Sequence, residues 1–320
     1  MNRRFALIQA LVSLVALAAV VWWASKQEAP HIPTGGDAIA WIVASVGLYV
    51  LATAVRAERW HWILAHTGVD AKRVDCYALT TVGYMGNNVL PARAGEAFRV
   101  VLLSQRCTAS KRTVISSIVA ERVLDVIVLL TFFVVTVYAV LPTADVLPTS
   151  HPLLVTAVGL LLIAAGVVGI WVLRSHRVFE RIRDWLRPLA DSPRALVSRW
   201  GLVLLAGTVL LWTIEASVYW TVARAVEIDI SIGGALYLVA LTNFVAALPA
   251  APGSIGTFDA AVAWGLHRLG ATGSPAVSCV LLIRFVLYVP ITLVGLVVLV
   301  TRYGGWSRLR SATRLEASSA

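Results

Sequence analysis

Residues 243–257 read NFVAALPAAPGSIGT, and residues 87–96 read NNVLPARAGE. Each stretch interrupts a long apolar segment, 232–267 or 76–106, with proline, which ends a helix, and glycine, which permits a sharp turn. Each half has about 12–16 residues, whereas a helix needs about 20 to cross a bilayer. The pattern therefore predicts two re-entrant helical hairpins. The residues expected to form their turns are Pro91, Gly95, Pro249, Gly253 and Gly256.

The composition indicates a membrane protein. Of the 320 residues, 59% are hydrophobic and 14% are charged, and the mean hydropathy is +0.81. Soluble domains have about 45–50% apolar and about 25% charged residues, so an ordinary cytosolic enzyme and a disordered or fibrous chain are excluded. The net charge of +10 favours loops that face an anionic leaflet over nucleic-acid binding. Cys76, Cys107 and Cys279 are too few and scattered for a disulfide framework or a zinc site, and neither metal nor cofactor is expected.

Six other apolar runs have the length and composition of full spans. They cover residues 5–24, 38–56, 114–141, 153–173, 202–223 and 276–301. We interpret 5–24 as an uncleaved first span rather than a signal peptide, because its apolar run is long. Residues 174–199 have the pattern of a cytoplasmic amphipathic helix, and 302–320 form a cytoplasmic tail. The expected fold is all-α, with about six full spans plus two re-entrant hairpins.

The distribution of basic residues predicts the orientation. If the N-terminus lies inside, nearly all Lys and Arg residues are inside as well, including Arg56, Arg59 and Arg99. Of the 27 Lys and Arg residues, only Lys26, Arg224 and Arg268 are left outside. This positive-inside bias predicts a multi-pass protein of the cell (inner) membrane with both termini in the cytoplasm.

The two interrupted segments belong to an internal repeat, 38–141 and 202–301, in which each half consists of span, hairpin and span. With Pro91 aligned to Pro249, Arg122 follows the first proline by 31 residues, and Arg284 follows the second by 35. The charge distribution gives the two halves opposite orientations. Inverted repeats with broken helices at corresponding positions are typical of transporters. The alternative is a chance resemblance between segments rich in small residues.

Three motifs carry a resemblance to a known family. They are residues 88–96 (NVLPARAGE), 121–125 (ERVLD) and 248–258 (LPAAPGSIGTF). In this order they resemble the flippase-like family, which comprises the transmembrane region of lysylphosphatidylglycerol synthases and its stand-alone relatives. The resemblance covers roughly residues 5–305 and implies a role in moving lipids or lipid-linked intermediates across a membrane. The aminoacyl-transferring members carry a large C-terminal domain, for which the residues after 305 are too few, so lipid aminoacylation is not expected.

Ionisable side chains at membrane depth are costly, so each calls for a function or a partner. Arginine suits a phosphate group, because its planar fork binds two oxygens at once. We expect a headgroup site lined by residues of both repeats, namely Asn88, Arg93, Glu96, Arg122, Asn243 and Arg284. The candidates for proton coupling are the carboxylates Glu121, Asp125, Glu215 and Asp259.

Each of these side chains also has a structural alternative. Glu96 and Asp259 lie where carboxylates cap helices. Glu121, Arg122 and Asp125 are spaced to neutralise one another at the inner end of a span. The carboxylate in the middle of 202–223 needs either an interhelical partner or a proton. The asparagines beside the two breaks either bind a headgroup or satisfy free backbone groups.

The leading hypothesis is an alternating-access transporter of lipids or lipid-linked intermediates. Its partners would be anionic phospholipids or prenyl-phosphate-linked sugars, with a lipid-processing enzyme as a candidate protein partner. The alternatives are a membrane-embedded lipid-modifying enzyme and an accessory subunit of a lipid-processing complex. The sequence shows no nucleotide-phosphate loop, metal-ligand spacing or nucleophile elbow, so we do not expect an enzyme.

Overall fold

The computed structural model describes residues 34–90, 93–141, 199–247 and 252–305, and part of the stretch 14–30. All regular elements within these residues are helical, which confirms the all-α prediction. The helices are α1 (Gly36–His66), α2 (Arg73–Val89), α3 (Gly95–Ser104), α4 (Lys111–Val135), α5 (Arg199–Ala225), α6 (Ile232–Ala247), α7 (Thr257–Arg268) and α8 (Gly273–Tyr303). A π-helical turn, Thr136–Val140, extends α4, and a 3-10 turn, Pro252–Ser254, precedes α7.

Four of these helices, α1, α4 with its π-helical turn, α5 and α8, are long and apolar enough to cross a membrane. They correspond to four of the predicted spans and confirm a polytopic membrane protein. The other predicted segments lie wholly or largely outside the described residues: 5–24, 153–173, 174–199 and 302–320.

Helix α1 is longer than the predicted span 38–56. It has 31 residues and continues as one helix to His66, ten residues past the predicted end. Arg56 and Arg59 suggested a loop, yet both side chains are buried against other helices. The prediction was wrong here because a charge that pairs inside the protein does not end a span.

Helices α2 and α3 form the first hairpin, and they pack closely because three glycines lie between them. A Cβ atom on Gly95 would lie 1.8 Å from the backbone oxygen of Gly83, and one on Gly86 would lie 2.6 Å from the Cα of Gly95. Gly95 therefore permits the close approach of two backbones. Pro91 lies outside the described residues.

Both ends of the first hairpin lie against the C-terminal end of α8. Asp75, in the first turn of α2, accepts a 2.8 Å hydrogen bond from Nη2 of Arg302. Arg106, just after α3, donates from Nη2 to the carbonyl oxygen of Arg302 at 2.9 Å. The hairpin thus enters and leaves at one end of the helix bundle, as a re-entrant segment does.

Helices α6 and α7 form the second hairpin. Their arms touch along their length, with Gly265 of α7 against Leu238 of α6 and Gly234 of α6 against Leu269 after α7. In the break, Gly253 and Gly256 have φ values of 63° and 83°, a region that favours glycine. Pro249 lies outside the described residues.

The two halves have opposite orientations. Helices α1 and α5 are equivalent, and their contacts are antiparallel: the rings of Trp41 and Trp220 lie 5.6 Å apart at one end, and those of His66 and Trp200 lie 5.4 Å apart at the other. Between the halves, α2 packs on α8, and α6 packs on α4. In both cases the first arm of one repeat's hairpin packs on the last span of the other repeat. This pattern confirms two inverted repeats.

The backbone changes how the repeats align in the two breaks. Arg93, two residues after Pro91, has a φ of 52°, and Ser254, two residues after Pro252, has a φ of 48°. Pro91 is therefore equivalent to Pro252. The sequence pattern had aligned it to Pro249 instead. Arg284 then follows its proline by 32 residues, close to the 31 that separate Arg122 from Pro91.

The buried side chains form two apolar clusters with a charged layer between them. One cluster includes Trp60 and Leu299, near the end where α8 terminates, and the other includes Tyr237 and Val262 of the second hairpin. Along α4, Ile118 belongs to the first cluster, and Val128 and Leu129 belong to the second. The buried carboxylates of α4 lie between these positions, so the charged layer is surrounded by apolar packing.

We expect the two hairpins to open to opposite sides of the membrane. In a background where the three cysteines are replaced by serine, single cysteines would be placed at the exposed positions Lys72 and Gln105 of the first hairpin and Asp229 and His267 of the second. In sealed vesicles, an impermeant maleimide should label the first two from one side and the last two from the other. Labelling of Lys72→Cys and Gln105→Cys from opposite sides would contradict a re-entrant hairpin.

Candidate functional site

A chain of buried ion pairs joins α1, α3 and α4. Its members alternate in charge in the order Glu96, Arg122, Asp125, Arg59, Glu121 and Arg99. Only the first two are partly exposed, with 29% and 32% of their side-chain surface accessible. The chain therefore runs from a half-exposed end into the protein interior.

The strongest contacts of this chain are deep in the structure. Nη1 of Arg59 lies 2.7 Å from Oδ1 of Asp125, and Nη2 of Arg99 lies 2.6 Å from Oε2 of Glu121. Asp125 also accepts a 3.0 Å hydrogen bond from the indole nitrogen of Trp212 on α5. Charged hydrogen bonds this short replace the water that each group loses on burial.

A second buried pair joins the two repeats directly. Nη2 of Arg56 on α1 donates to Oε2 of Glu215 on α5 at 2.6 Å. The guanidinium carbon of Arg56 lies 4.9 Å from the ring centre of Tyr84 and 5.4 Å from that of Trp212. The partner that Glu215 needs in the middle of its span is therefore an arginine of the other repeat.

The second repeat has its own arginine–carboxylate pair. Arg284 on α8 donates two hydrogen bonds to the carboxylate of Asp259 in the first turn of α7. Asp259 also accepts a 2.9 Å hydrogen bond from the backbone N–H of Gly256, so it caps α7 as well. In the first repeat, Arg122 on α4 forms a looser ion pair with Glu96 in the first turn of α3, with 3.5 Å between Nε and Oε1. Equivalent pairs thus connect each hairpin to the span that follows it.

The breaks of the two hairpins meet. Arg93, in the first break, donates from Nη2 to the carbonyl oxygen of Ala246 at the end of α6, at 3.0 Å. A Cβ on Gly253, in the second break, would lie 3.1 Å from the carbonyl oxygen of Asn88. The two helices that start after these breaks therefore begin close to one another, within the bundle.

Two tyrosines lie where the cations of both repeats converge. Tyr84 is within electrostatic range of Arg122 as well as under Arg56. The guanidinium carbon of Arg284 lies 4.7 Å from the ring centre of Tyr288, which is also within electrostatic range of Arg93. The contacts of closest approach are those of Arg56 with Tyr84 and of Arg284 with Tyr288, one in each repeat's set of helices.

The chain matches the family described as "Lysylphosphatidylglycerol synthase TM region" over residues 7–295. It belongs to this family. The family's transmembrane region therefore accounts for all four described spans and both hairpins. The sequence resemblance named the same family, and the match confirms it.

The chain is similar to curated proteins of several organisms. It is 26% identical to "Glycosyltransferase AglD" of Haloferax volcanii in an alignment of 299 residues that covers 78% of this chain and 47% of that protein. It is 20% identical over 312 residues to a "UPF0104 membrane protein" of Methanothermobacter thermautotrophicus, covering 89% of this chain and 92% of the other. "UPF0104 membrane protein MJ1595" of Methanocaldococcus jannaschii is 23% identical over 282 residues, 80% and 82% of the two chains. The chain thus spans about half of AglD. No solved structure matches it significantly.

The structure brings together most of the residues predicted for the headgroup site. Arg93, Arg122 and Arg284 lie around the meeting breaks. Asn88 is also there, and its Nδ2 donates to Oγ1 of Thr292 on α8 at 2.9 Å. Asn243 instead donates to the carbonyl oxygen of Val239 on its own helix, at 2.8 Å. Asn243 is thus engaged with the backbone of its own helix, while the alternative considered for it concerned free backbone groups at the break.

The four carboxylates considered for proton coupling all have arginine partners in this family member. Glu121 faces Arg99 and Arg59, Asp125 faces Arg59 and Arg122, and the other two form the pairs Arg56–Glu215 and Arg284–Asp259. The predicted neutralisation among Glu121, Arg122 and Asp125 therefore occurs in part. Arg122 contacts Asp125, while Glu121 is neutralised from other helices.

Sequence reasoning missed three arginines of the charged layer. Arg56, Arg59 and Arg99 were assigned to the inside-facing basic residues, yet each is 3% exposed. A sequence signal for the first two is present, because the apolar helical spacing of α1 continues past them through Trp60, Ile63 and Leu64, all buried. No comparable signal marks Arg99, whose position depends on the packing of α3 against α4.

Within the described ranges, no group of three or more His, Cys, Asp or Glu side chains could hold a metal ion. The charged layer pairs carboxylates with arginines instead of with one another. The arrangement thus consists of arginine–carboxylate pairs, and the arginine fork is a group that can also bind two oxygens of a phosphate.

Proposed function

We propose that this protein transports a lipid or lipid-linked intermediate across the cell membrane by alternating access, with a phosphate-bearing headgroup between the two repeats. The observation that carries the proposal is the meeting of two inverted, broken hairpins, each with an arginine–carboxylate pair whose arginine is partly exposed. Broken helices at the interface of inverted repeats are where transporters place their substrate sites.

In this proposal, Arg122 and Arg284 exchange Glu96 and Asp259 for the phosphate oxygens of the substrate. The partial exposure of these side chains makes the exchange accessible from outside the apolar core. The acyl or prenyl chains stay in the bilayer, so the protein accommodates only the headgroup. Protons released or taken up by the displaced carboxylates would couple the movement to a gradient. The proposal contains no catalytic step.

The positive-inside bias supports an orientation with both termini in the cytoplasm. The end of the bundle where Asp75 meets Arg302 then faces the cytoplasm, and the second hairpin opens to the outside. Anionic phospholipids and prenyl-phosphate-linked sugars are the proposed substrates, and a lipid-processing enzyme is the proposed protein partner.

A headgroup-accessibility assay in liposomes that contain only this protein tests the proposal. Phospholipids and prenyl-phosphate sugars with labelled headgroups are scored by quenching from outside. We expect the wild-type protein to move at least one of these lipids, and Arg122→Gln with Arg284→Gln to slow the movement by about tenfold or more, because each lost charged hydrogen bond contributes about 1.5–3 kcal/mol.

Two further variants make this result interpretable. Arg73→Gln with Arg224→Gln removes the same charge from exposed positions and should leave transport unchanged. Adding Glu96→Gln and Asp259→Asn to the variant Arg122→Gln with Arg284→Gln removes both charges of each ion pair. No charge of these pairs is then left without its partner, which protects folding. Transport at the wild-type rate in this folded fourfold variant would overturn the proposed site, and the absence of movement of every lipid by the wild type would overturn the function.

A further inference from the structure

Arg284 uses all three guanidinium nitrogens to hold the second break. Nε and Nη2 donate to the carboxylate of Asp259. Nη1 also donates to the carbonyl oxygen of Gly253 at 3.3 Å, and Nη2 donates to that of Ser254 at 3.4 Å. Gly253 and Ser254 both have a positive φ. One side chain on α8 therefore fixes the backbone conformation of the turn that precedes α7.

Arg122, at the equivalent position on α4, is held more loosely. Its Nη1 donates to Asp125 at 3.3 Å, while its Nε lies 3.5 Å from Glu96 and has no hydrogen-bond partner. Charged hydrogen bonds are typically about 2.7–2.9 Å long, so both contacts are weak. Among the described residues, Arg122 donates to no carbonyl oxygen of the first break. The two equivalent arginines thus differ in how many of their donors are already in use.

Arg122 also lies at the edge of the packed face of its helix. Along α4, Glu121 and Asp125 are buried, whereas Val126 and Ile127 are each 44% exposed. At 3.6 residues per turn, Arg122 lies between the direction of Asp125 and that of Val126, and 32% of its side chain is accessible. A headgroup can therefore reach Arg122 from the side of the bundle while its apolar chains stay against the exposed apolar face.

We propose that the headgroup is bound first at Arg122 and that Arg284 keeps the second hairpin closed during this step. This inference rests on the proposed function and gives an order to its two exchanges. Phosphate replaces Glu96 first, because that contact is weak and accessible. The exchange of Asp259 at Arg284 follows, because it also requires release of the turn that precedes α7.

Binding of a short-chain lipid to the purified full-length protein in detergent tests this order. The probe is dihexanoyl phosphatidic acid, and the reference is dihexanoyl phosphatidylcholine, which has no net charge. Neutralising the first pair, by Arg122→Gln with Glu96→Gln, should weaken binding of the phosphatidic acid about tenfold or more. Neutralising the second pair, by Arg284→Gln with Asp259→Asn, should leave binding at least about threefold tighter than in the first-pair variant. Arg224→Gln, at an exposed ion pair, should bind like the wild type.

Thiol reactivity measures the role of Arg284 in keeping the second hairpin closed. Thr257 is buried in the first turn of α7, two residues before Asp259. In a background where the three native cysteines are serine, Thr257→Cys should react about fivefold faster or more with a small charged thiol reagent once the second pair is neutralised, because the open state becomes more populated. With the buried Cys76 of α2 as the single cysteine, the same substitutions should leave the reaction slow, which shows that the protein remains folded. An unchanged rate at Thr257→Cys would overturn the role of Arg284.

The outcomes separate this inference from the proposed function. If the first-pair variant binds less than about threefold more weakly than the second-pair variant, the order is overturned. Slow transport by Arg122→Gln with Arg284→Gln in liposomes would then still support the headgroup site. If the wild-type protein binds phosphatidic acid no better than phosphatidylcholine and moves no lipid in liposomes, both the order and the proposed function are overturned.

Discussion

Replacing Asp125 with alanine is expected to lower the free energy of unfolding by about 3–5 kcal/mol, the cost of removing one partner from a buried ion pair. Asp125 is the shared partner of Arg59 and Arg122, and it also accepts the hydrogen bond of the Trp212 indole. Its removal leaves the buried Arg59 with Glu121, at 3.7 Å, as its carboxylate partner and with Thr208 as its hydrogen-bond acceptor. Unfolding by a denaturing detergent in mixed micelles measures the change.

Two companion variants show whether charge is the cause. Asp125→Asn keeps the shape of the side chain and an oxygen for Trp212, so we expect a smaller loss of stability than with alanine. Asp70→Ala, at an exposed position, should change stability by less than about 0.5 kcal/mol. A loss below about 1 kcal/mol for Asp125→Ala would show that the charged layer does not hold α1 and α4 together.

Replacing Gly95 with alanine is expected to cost about 3 kcal/mol or more, at the upper end of the range for overpacking. The added Cβ would lie 1.8 Å from the backbone oxygen of Gly83 and 2.8 Å from the Oδ1 of Asn87. Backbone cannot rotate away as a side chain does, so α2 and α3 must separate. Thermal unfolding in detergent, followed by loss of monodisperse protein, measures the effect.

Gly47→Ala provides the matched control for this variant. Gly47 is helical and has open space where a Cβ would be, with no atom within 4 Å. Alanine favours a helix over glycine by about 1 kcal/mol, so this change should be neutral or stabilising. Equal stabilities of the two alanine variants would contradict the close packing of the first hairpin.

The architecture of the chain could be predicted from its sequence because membranes impose simple rules. Apolar length identified α4, α5 and α8 closely, and the proline–glycine breaks identified both hairpins. The end of α1 could not be predicted, because Arg56 and Arg59 in isolation have the chemistry of a loop. Only the partners on other helices, which are more than 60 residues away in sequence, explain their burial.

The sequence allowed most residues of the candidate site to be predicted, but it was a poorer guide to which of them form ion pairs with each other. Arg122 and Arg284 are recognisable as equivalent, and the structure gives each a carboxylate at the start of the hairpin arm that precedes its helix. The alignment of the breaks was misleading, since the Leu-Pro-Ala triplets at 90–92 and 248–250 resemble each other more than the residues that share a backbone conformation. A local positive φ leaves little trace in sequence when its residues are Arg93 and Ser254.

The ion-pair chain from Glu96 to Arg99 lies within one repeat, and this has a consequence for temperature. With Arg122 aligned to Arg284, Ile283 is equivalent to Glu121, and with Glu96 aligned to Asp259, Val262 is equivalent to Arg99, so the second repeat has apolar residues at these positions. Separating the ion-paired helices of the first repeat exposes charged side chains to water. Separating the equivalent helices of the second repeat exposes apolar surface instead, which raises the heat capacity. Cooling weakens apolar association, and warming lowers the desolvation penalty of ion pairs. Under the proposed alternating-access function, we therefore expect the balance between openings toward the two sides of the membrane to shift with temperature, even though the two halves share one fold.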